Sequence, residues 1–207
     1  MKNIYVVTHT ESIHHVQRIV GGWYDTSLTE NGRVQARKIA NALYNEIGIQ
    51  NISIFSSDLK RCAETADIFA EVFNTTVILD RNLREASWGD AEGKTEEWWN
   101  QNVIHRSIDS NQLDHQMFSN SESRRDVGIR IQSSLNQIIS KSENYSIIIT
   151  HGFALTFVIM AWLKVPVEHM DYCHFQPRSG GVTLLQEDDF VVGRTVTFVN
   201  NLDYLAD

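Results

Sequence analysis

Two histidines in the chain share one local pattern. Val6-Val7-Thr8-His9 and Ile148-Ile149-Thr150-His151 each run from aliphatic residues through a threonine into an imidazole, as a buried strand does when it ends in an exposed polar turn. In an open α/β sheet, ligands bind outside the carboxyl ends of the strands, so a histidine at such a tip is placed to do chemistry. If both strands lie parallel in one sheet, both rings emerge at the same edge. A third run, Ile52-Ser53-Ile54-Phe55, passes into Ser56-Ser57-Asp58 and leads to Arg61 in the first turn of a helix. Helix N-termini favour anions through free N–H groups and the macrodipole. Two imidazoles and a guanidinium converging there suit a phosphate group. The adjacent pair His14-His15 lacks a nearby cysteine or a spaced carboxylate and is weak grounds for zinc, so no metal site is expected.

The elements that must position these residues follow a strand, polar turn, helix rhythm, the signature of an α/β fold with a parallel sheet and crossover helices. Strands are expected at residues 3–7, 52–55, 76–79 and 145–149. A loop is expected from His14 to Leu28, with turn signals at Gly21-Gly22 and Asp25-Thr26-Ser27. Thr29 then caps a helix whose inward face carries Val34, Ile39, Leu43 and Ile47, with Gly48 as its stop. Further helices are expected at about 59–73 and 122–141, and another after Gly152. Residues 86–122 break the rhythm, with some helix near 96–103. Two closing strands, 182–185 and 194–199, flank an acidic turn at Glu187-Asp188-Asp189.

At 207 residues and 42% hydrophobic content, the chain is expected to form one domain, 1–207, with 86–122 as an irregular cap insertion. A net charge of −8 argues against general affinity for nucleic acid or anionic membranes, because an acidic surface repels polyanions. An anionic substrate therefore needs a local basic pocket. The N-terminal run Ile4–Val7 is too short for a signal peptide, and Phe153–Leu163 falls short of the roughly 20 residues that cross a bilayer. A cytoplasmic protein with Cys62 and Cys173 reduced is expected.

The ordered set of motifs resembles the histidine phosphatase superfamily, also called the phosphoglycerate mutase-like family, over nearly the whole chain. The matching pieces begin with Val7-Thr8-His9-Thr10-Glu11-Ser12 and with Gly22 to Gly32 followed by Gln35-Ala36. They continue through Ser56 to Ala66, Leu83-Arg84-Glu85 with Gly89 and Glu92-Gly93, and Thr150-His151-Gly152. The resemblance implies a three-layer α/β/α sandwich around a mostly parallel sheet. It also implies phosphomonoester hydrolysis with no cofactor, acting on a small phosphorylated substrate. His9 would be the nucleophile that accepts a phosphoryl group, splitting one hard step into two. Arg61 would hold the phosphoryl oxygens by a charge-assisted fork, and His151 would donate to the same oxygens. Glu85 would protonate the leaving oxygen, which requires a carboxyl pKa raised by burial beside Trp88 or Trp23 or by a neighbouring carboxylate; its alternative is an ion pair with Arg84.

The chain departs from the family where Arg-His-Gly is the usual first motif and Thr8-His9-Thr10 stands instead. The missing guanidinium removes a charged hydrogen bond worth about 1.5–3 kcal/mol. His15 also occupies the place of an asparagine that contacts phosphate. Substrate contacts are expected from Thr8, Thr10, Ser12, His15 and Arg18. Compensating charge would come from Arg18, His14, His15 or Arg178, although Arg18 and Arg178 also read as plain surface charge. Active phosphatase, small phosphomutase and a phospholigand-binding module with little turnover stay open, and substrate choice is expected from 86–122, which carries Lys94, Trp98-Trp99, His105 and Arg106.

Overall fold

In the structure, a computed structural model, the described residues are 2–48, 51–107, 111–141, 144–188, 190 and 193–206. The apolar run behind His9 forms β1 (Lys2–Thr8), and the chain then makes a short helix α1 (Ile13–Gln17). α2 (Glu30–Ile47), β2 (Ile52–Ser56), α3 (Lys60–Phe73) and β3 (Val77–Leu79) follow in alternation. After α4 (Glu96–Asn102) come α5 (Arg124–Lys141), β4 (Tyr145–Thr150), α6 (Gly152–Trp162), β5 (Val182–Asp188) and β6 (Gly193–Asn201).

The six strands form one sheet in the order β3-β2-β4-β1-β5-β6. β3, β2, β4 and β1 are mutually parallel, whereas β5 pairs antiparallel with β1, and β6 antiparallel with β5. Each central strand is apolar nearly throughout because both of its faces are covered. Ile4, Val6, Phe55 and Ile148 point into one core with residues of α5 and α6, while Tyr5, Val7, Ile54, Ile147 and Ile149 meet α2 and α3 on the other side. This alternation with period two fixes the register, since a slip of one residue would exchange the two faces. The result is the expected three-layer sandwich around a mostly parallel sheet. No helix among the described residues is long and apolar enough to cross a membrane; α6 is buried along Ala154–Trp162 because it packs between α5 and the sheet.

Several sequence expectations change in detail. The expected loop from His14 contains α1, whose Ser12 N-cap makes no side-chain cap bond; five residues are too few for periodicity to reveal a helix. Val34 is exposed rather than core, and Ala36 and Ala40 take the inward face of α2 beside Ile39, Leu43 and Ile47. Glu187 and Asp188 belong to β5 rather than to a turn, with Glu187 paired to Arg194 across the hairpin at 3.0 Å; Asp189 lies outside the described residues. Thr29 does cap α2, accepting from the Gly32 N–H at 2.9 Å.

Candidate active site

β1 and β4 are neighbours, and Thr8 pairs with Thr150. The two residues that follow therefore leave the sheet at the same edge, and the His9 and His151 rings meet edge-to-face with centroids 5.2 Å apart. His9 is 6% exposed. Its Nδ1 lies 2.8 Å from the Thr10 carbonyl oxygen, a geometry in which Nδ1 carries the proton and donates, leaving Nε2 with a free lone pair. Burial, then the Arg61 guanidinium, hold the His9 pKa well below the usual imidazole range.

α2 supports this loop from the side. Thr10 Oγ1 donates to the Gly32 carbonyl oxygen at 2.7 Å, and Thr29 Oγ1 donates to Glu11 Oε1 at 2.6 Å. A Cβ at Gly32 would lie 2.0 Å from the Glu11 carbonyl oxygen, so only glycine lets the helix approach the turn this closely.

Arg61 stands on the first turn of α3 and is 1% exposed. Nη1 donates to the Tyr24 carbonyl at 3.0 Å and Nη2 to the Gly22 carbonyl at 2.6 Å, while the buried Nε has no partner. A buried N–H left unsatisfied costs about 1–3 kcal/mol, and an acceptor arriving in the cavity would remove that cost. Asp25 completes the approach by accepting from the Lys60 N–H at the start of α3 at 2.7 Å.

Glu85 is held by three backbone donors. Oε1 accepts from Ala86 and Ala154 at 2.9 and 3.0 Å, and Oε2 from Phe153 at 3.0 Å. Phe153 and Ala154 begin α6, so the carboxyl sits on a helix N-terminus. Burial pushes its pKa up, and the three N–H groups and Arg61 pull against it without reversing the direction. Burial is the largest cause of that upward push. Arg84 is not its partner, because that guanidinium makes a two-pronged pair with Asp58 at 2.6 and 2.7 Å.

The loop carrying Glu85 is clamped by Arg130 of α5. Its guanidinium donates to the carbonyls of Asn82, Arg84 and Glu85 at 2.7–2.8 Å and pairs with Glu122 at 2.8 Å. Glu92 ties the neighbouring turn together by accepting from the backbone N–H groups of Trp23 and Trp88 and from the Ser87 hydroxyl at 2.9–3.0 Å.

These groups border a cavity of about 370 Å³ lined by Thr8, His9, His14, His15, Arg61, Glu85, Trp88, Phe153 and Arg178 among others. His151 stands just behind this surface. It is fully buried, its Nε2 lies 2.8 Å from Ser57 Oγ and 3.3 Å from Cys62 Sγ, and burial followed by Arg61 keeps its pKa well below the usual imidazole range. Thr10 and Ser12 are buried supports rather than lining residues, and Arg18 is exposed outside the cavity. Thr8 lines the cavity, but its hydroxyl donates to the Arg178 carbonyl and accepts from the Gly181 N–H at 3.1 Å. That bond ties the segment before β5 to the mouth of the site and brings Arg178 to its rim. Cys62 is buried, Cys173 exposed, and both are free thiols.

The family model described as histidine phosphatase superfamily (branch 1) matches residues 4–196. The chain belongs to this superfamily. Among relatives of this histidine phosphatase superfamily member is "Putative phosphoserine phosphatase 2" of Hydrogenobacter thermophilus, 28% identical over 187 residues, with 88% of each chain covered. Another is "Probable phosphoglycerate mutase GpmB" of an Enterobacter species, 29% identical over 174 residues, covering 80% of this chain and 77% of the relative. Among solved structures, a mycobacterial glucosyl-3-phosphoglycerate phosphatase complexed with VO3 matches with a TM-score of 0.81 at 23% identity, over 97% of this chain and 99% of that one. Bacillus stearothermophilus YhfR matches with a TM-score of 0.80 at 25% identity, over 99% and 100%. Membership places the chain among phosphatases and phosphomutases.

Sequence reasoning missed Arg130, Phe153, His174, Pro177 and Ser179. Arg130 looks like ordinary surface charge on a long helix, and residues 173–181 carry no periodic signal. Arg130 stands behind the Glu85 loop and the other four line the cavity, placements that only the fold creates.

Proposed function

We propose that the protein is a cytoplasmic phosphomonoester hydrolase that works without a metal through a phosphohistidine at His9. The observation that carries this reading is the pairing, in one cavity, of a bare His9 Nε2 with the unpartnered Nε–H of Arg61. In the first step Nε2 forms a bond to phosphorus as the bond to the leaving oxygen breaks, and the Glu85 carboxyl gives its proton to that oxygen. Oε2 has one backbone donor against two on Oε1, which makes it the better site for that proton. Water then attacks phosphorus, returns a proton to Glu85 and releases phosphate from His9. Arg61 neutralises charge on the transferring oxygens. His151 supports His9 edge-on from the buried side, and a turn of its ring away from Ser57 would bring a donor to the same oxygens.

The whole chain acts as one domain in this reading, with 86–122 as the cap. A second cavity of about 260 Å³, lined by Ile104, His105, Arg106, Met117 and Arg124, shares Trp88 and Phe153 with the first. The organic part of a small phosphorylated substrate would extend across those two aromatic rings into it. The phospholigand-binding alternative has its own observation in Thr8, whose hydroxyl is spent on backbone groups. The test is incubation with an aryl phosphate in chelator, followed by intact-mass detection of a phosphoryl adduct. Turnover and adduct are expected in the native protein and absent in His9→Ala; equal rates in the two would refute the assignment.

A further inference from the structure

Adjacent histidines at 14 and 15 are poor grounds for a metal by themselves, but the fold adds a third ring. The candidate ligand nitrogens of His9, His14 and His15 all lie within 4.8 Å of one another. The rings of His14 and His15 are 4.3 Å apart, and that of His15 stacks on His9 at 5.2 Å. α1 makes the set possible by turning back immediately after the His9 loop.

Each ring is held at Nδ1 by an oxygen. His9 Nδ1 meets the Thr10 carbonyl at 2.8 Å, His14 Nδ1 meets Ser12 Oγ and Thr26 Oγ1 at 3.0 Å, and His15 Nδ1 meets Ser12 Oγ at 3.4 Å. In metal centres the second ring nitrogen of a ligating histidine is oriented in this way by carbonyls or other oxygens. This leaves Nε2 as the free nitrogen of His9, while His14 and His15 each offer a ring nitrogen within 4.8 Å of it.

We propose that His9, His14 and His15 form a binding site for a divalent transition metal of the zinc class. Imidazole donors select zinc, cobalt, nickel and copper over magnesium or calcium, which prefer oxygen. Three protein nitrogens beside an open cavity leave a fourth position for water or an oxyanion. Bonds of about 2.0–2.1 Å require the three nitrogens to draw in to about 3.4 Å apart, a movement that would fall to His15, the exposed member of the set. Arg61 opposes a dication here, and Glu11 near His15 partly offsets it.

A metal on His9 Nε2 occupies the lone pair that accepts the phosphoryl group. It follows, resting on the reading of His9 as nucleophile, that zinc inhibits the phosphatase. Calorimetric titration of the full chain with zinc is expected to show one equivalent bound, weakened by at least about tenfold in His15→Ala and in His14→Gln, with folding checked by circular dichroism. Aryl phosphate turnover should fall over the same zinc range and return with chelator. Absence of zinc binding, or one-equivalent binding unchanged in a folded His15→Ala variant, would overturn the site. Turnover that rises with zinc would overturn the inhibition. Calorimetry needs no turnover, so a failure of the phosphatase reading leaves the binding test intact.

Discussion

Thr8 and Thr150 stand opposite each other in the register of β1 and β4, and this pairing alone brings two imidazoles from opposite ends of the chain to 5.2 Å. The site is a product of strand register. Its components can be tested one at a time.

Thr8 is a structural residue as much as a pocket residue. Replacing it with valine keeps the shape of the strand and removes the hydroxyl that bridges the Arg178 carbonyl and the Gly181 N–H, which stay bonded to each other at 2.9 Å. A loss of about 0.5–1.5 kcal/mol is expected, measured as a lower urea midpoint with an unchanged slope. Because Arg178 loses its anchor at the rim, KM should rise more than kcat falls.

Arg61→Lys retains charge and removes the fork. A lysine cannot serve the Gly22 and Tyr24 carbonyls and an incoming oxyanion with one planar group. Turnover is expected to fall by about 10²–10³-fold, read by steady-state kinetics under conditions where the variant is shown to be folded.

In the proposed mechanism the pH profile follows from two opposite protonation needs. His9 must be unprotonated, and its lowered pKa keeps it so well into the acid range. Glu85 must be protonated, and its pKa is raised, so kcat/KM should decline on the alkaline side as the carboxyl ionises. Glu85→Gln should abolish that decline and lower the plateau. A decline that persists in the variant would assign it to another group.

Acid stability has a related origin. The His14 pKa is lowered to about 3, first by burial and then by His15 and Arg61, whereas in the unfolded chain it returns to about 6.5. The unfolded state therefore binds the proton more readily, and the His14 contribution, complete above about pH 6.5, is lost as pH falls toward 3. His14→Gln should flatten this part of a Tm against pH curve.

Arg130→Met tests the clamp behind the site. Three carbonyls and Glu122 lose their donor, with an expected cost of about 3–5 kcal/mol for breaking a largely buried pair. The Glu85 loop should loosen with it, visible as faster amide exchange at residues 82–86.

The sandwich was legible because buried parallel strands are written as uninterrupted apolar runs, such as Ile147-Ile148-Ile149, and because Thr29 caps a helix in its own local sequence. The convergence of His9, Arg61 and Glu85 on one cavity was legible because each belongs to a short motif at the end of an element. Arg18 and Arg178 show where that stops. Both read as surface charge, yet Arg178 borders the cavity and Arg18 does not, a difference made by the Thr8 contact 170 residues away in sequence. The same limit hid the third histidine beside His14-His15: proximity through a five-residue helix leaves no periodic trace.

β1 lies between β4 and β5 in the sheet, so the first strand made waits for two of the last. During synthesis His9 leaves the ribosome early, but its opposing ring arrives only with residue 151 and the Thr8 anchor only with residues 178–181. Such distant pairings slow folding, because the loops must close before the contacts reward them. A nascent chain that ends before β4 holds His9 with no pocket around it. The cavity thus forms only together with the completed sheet.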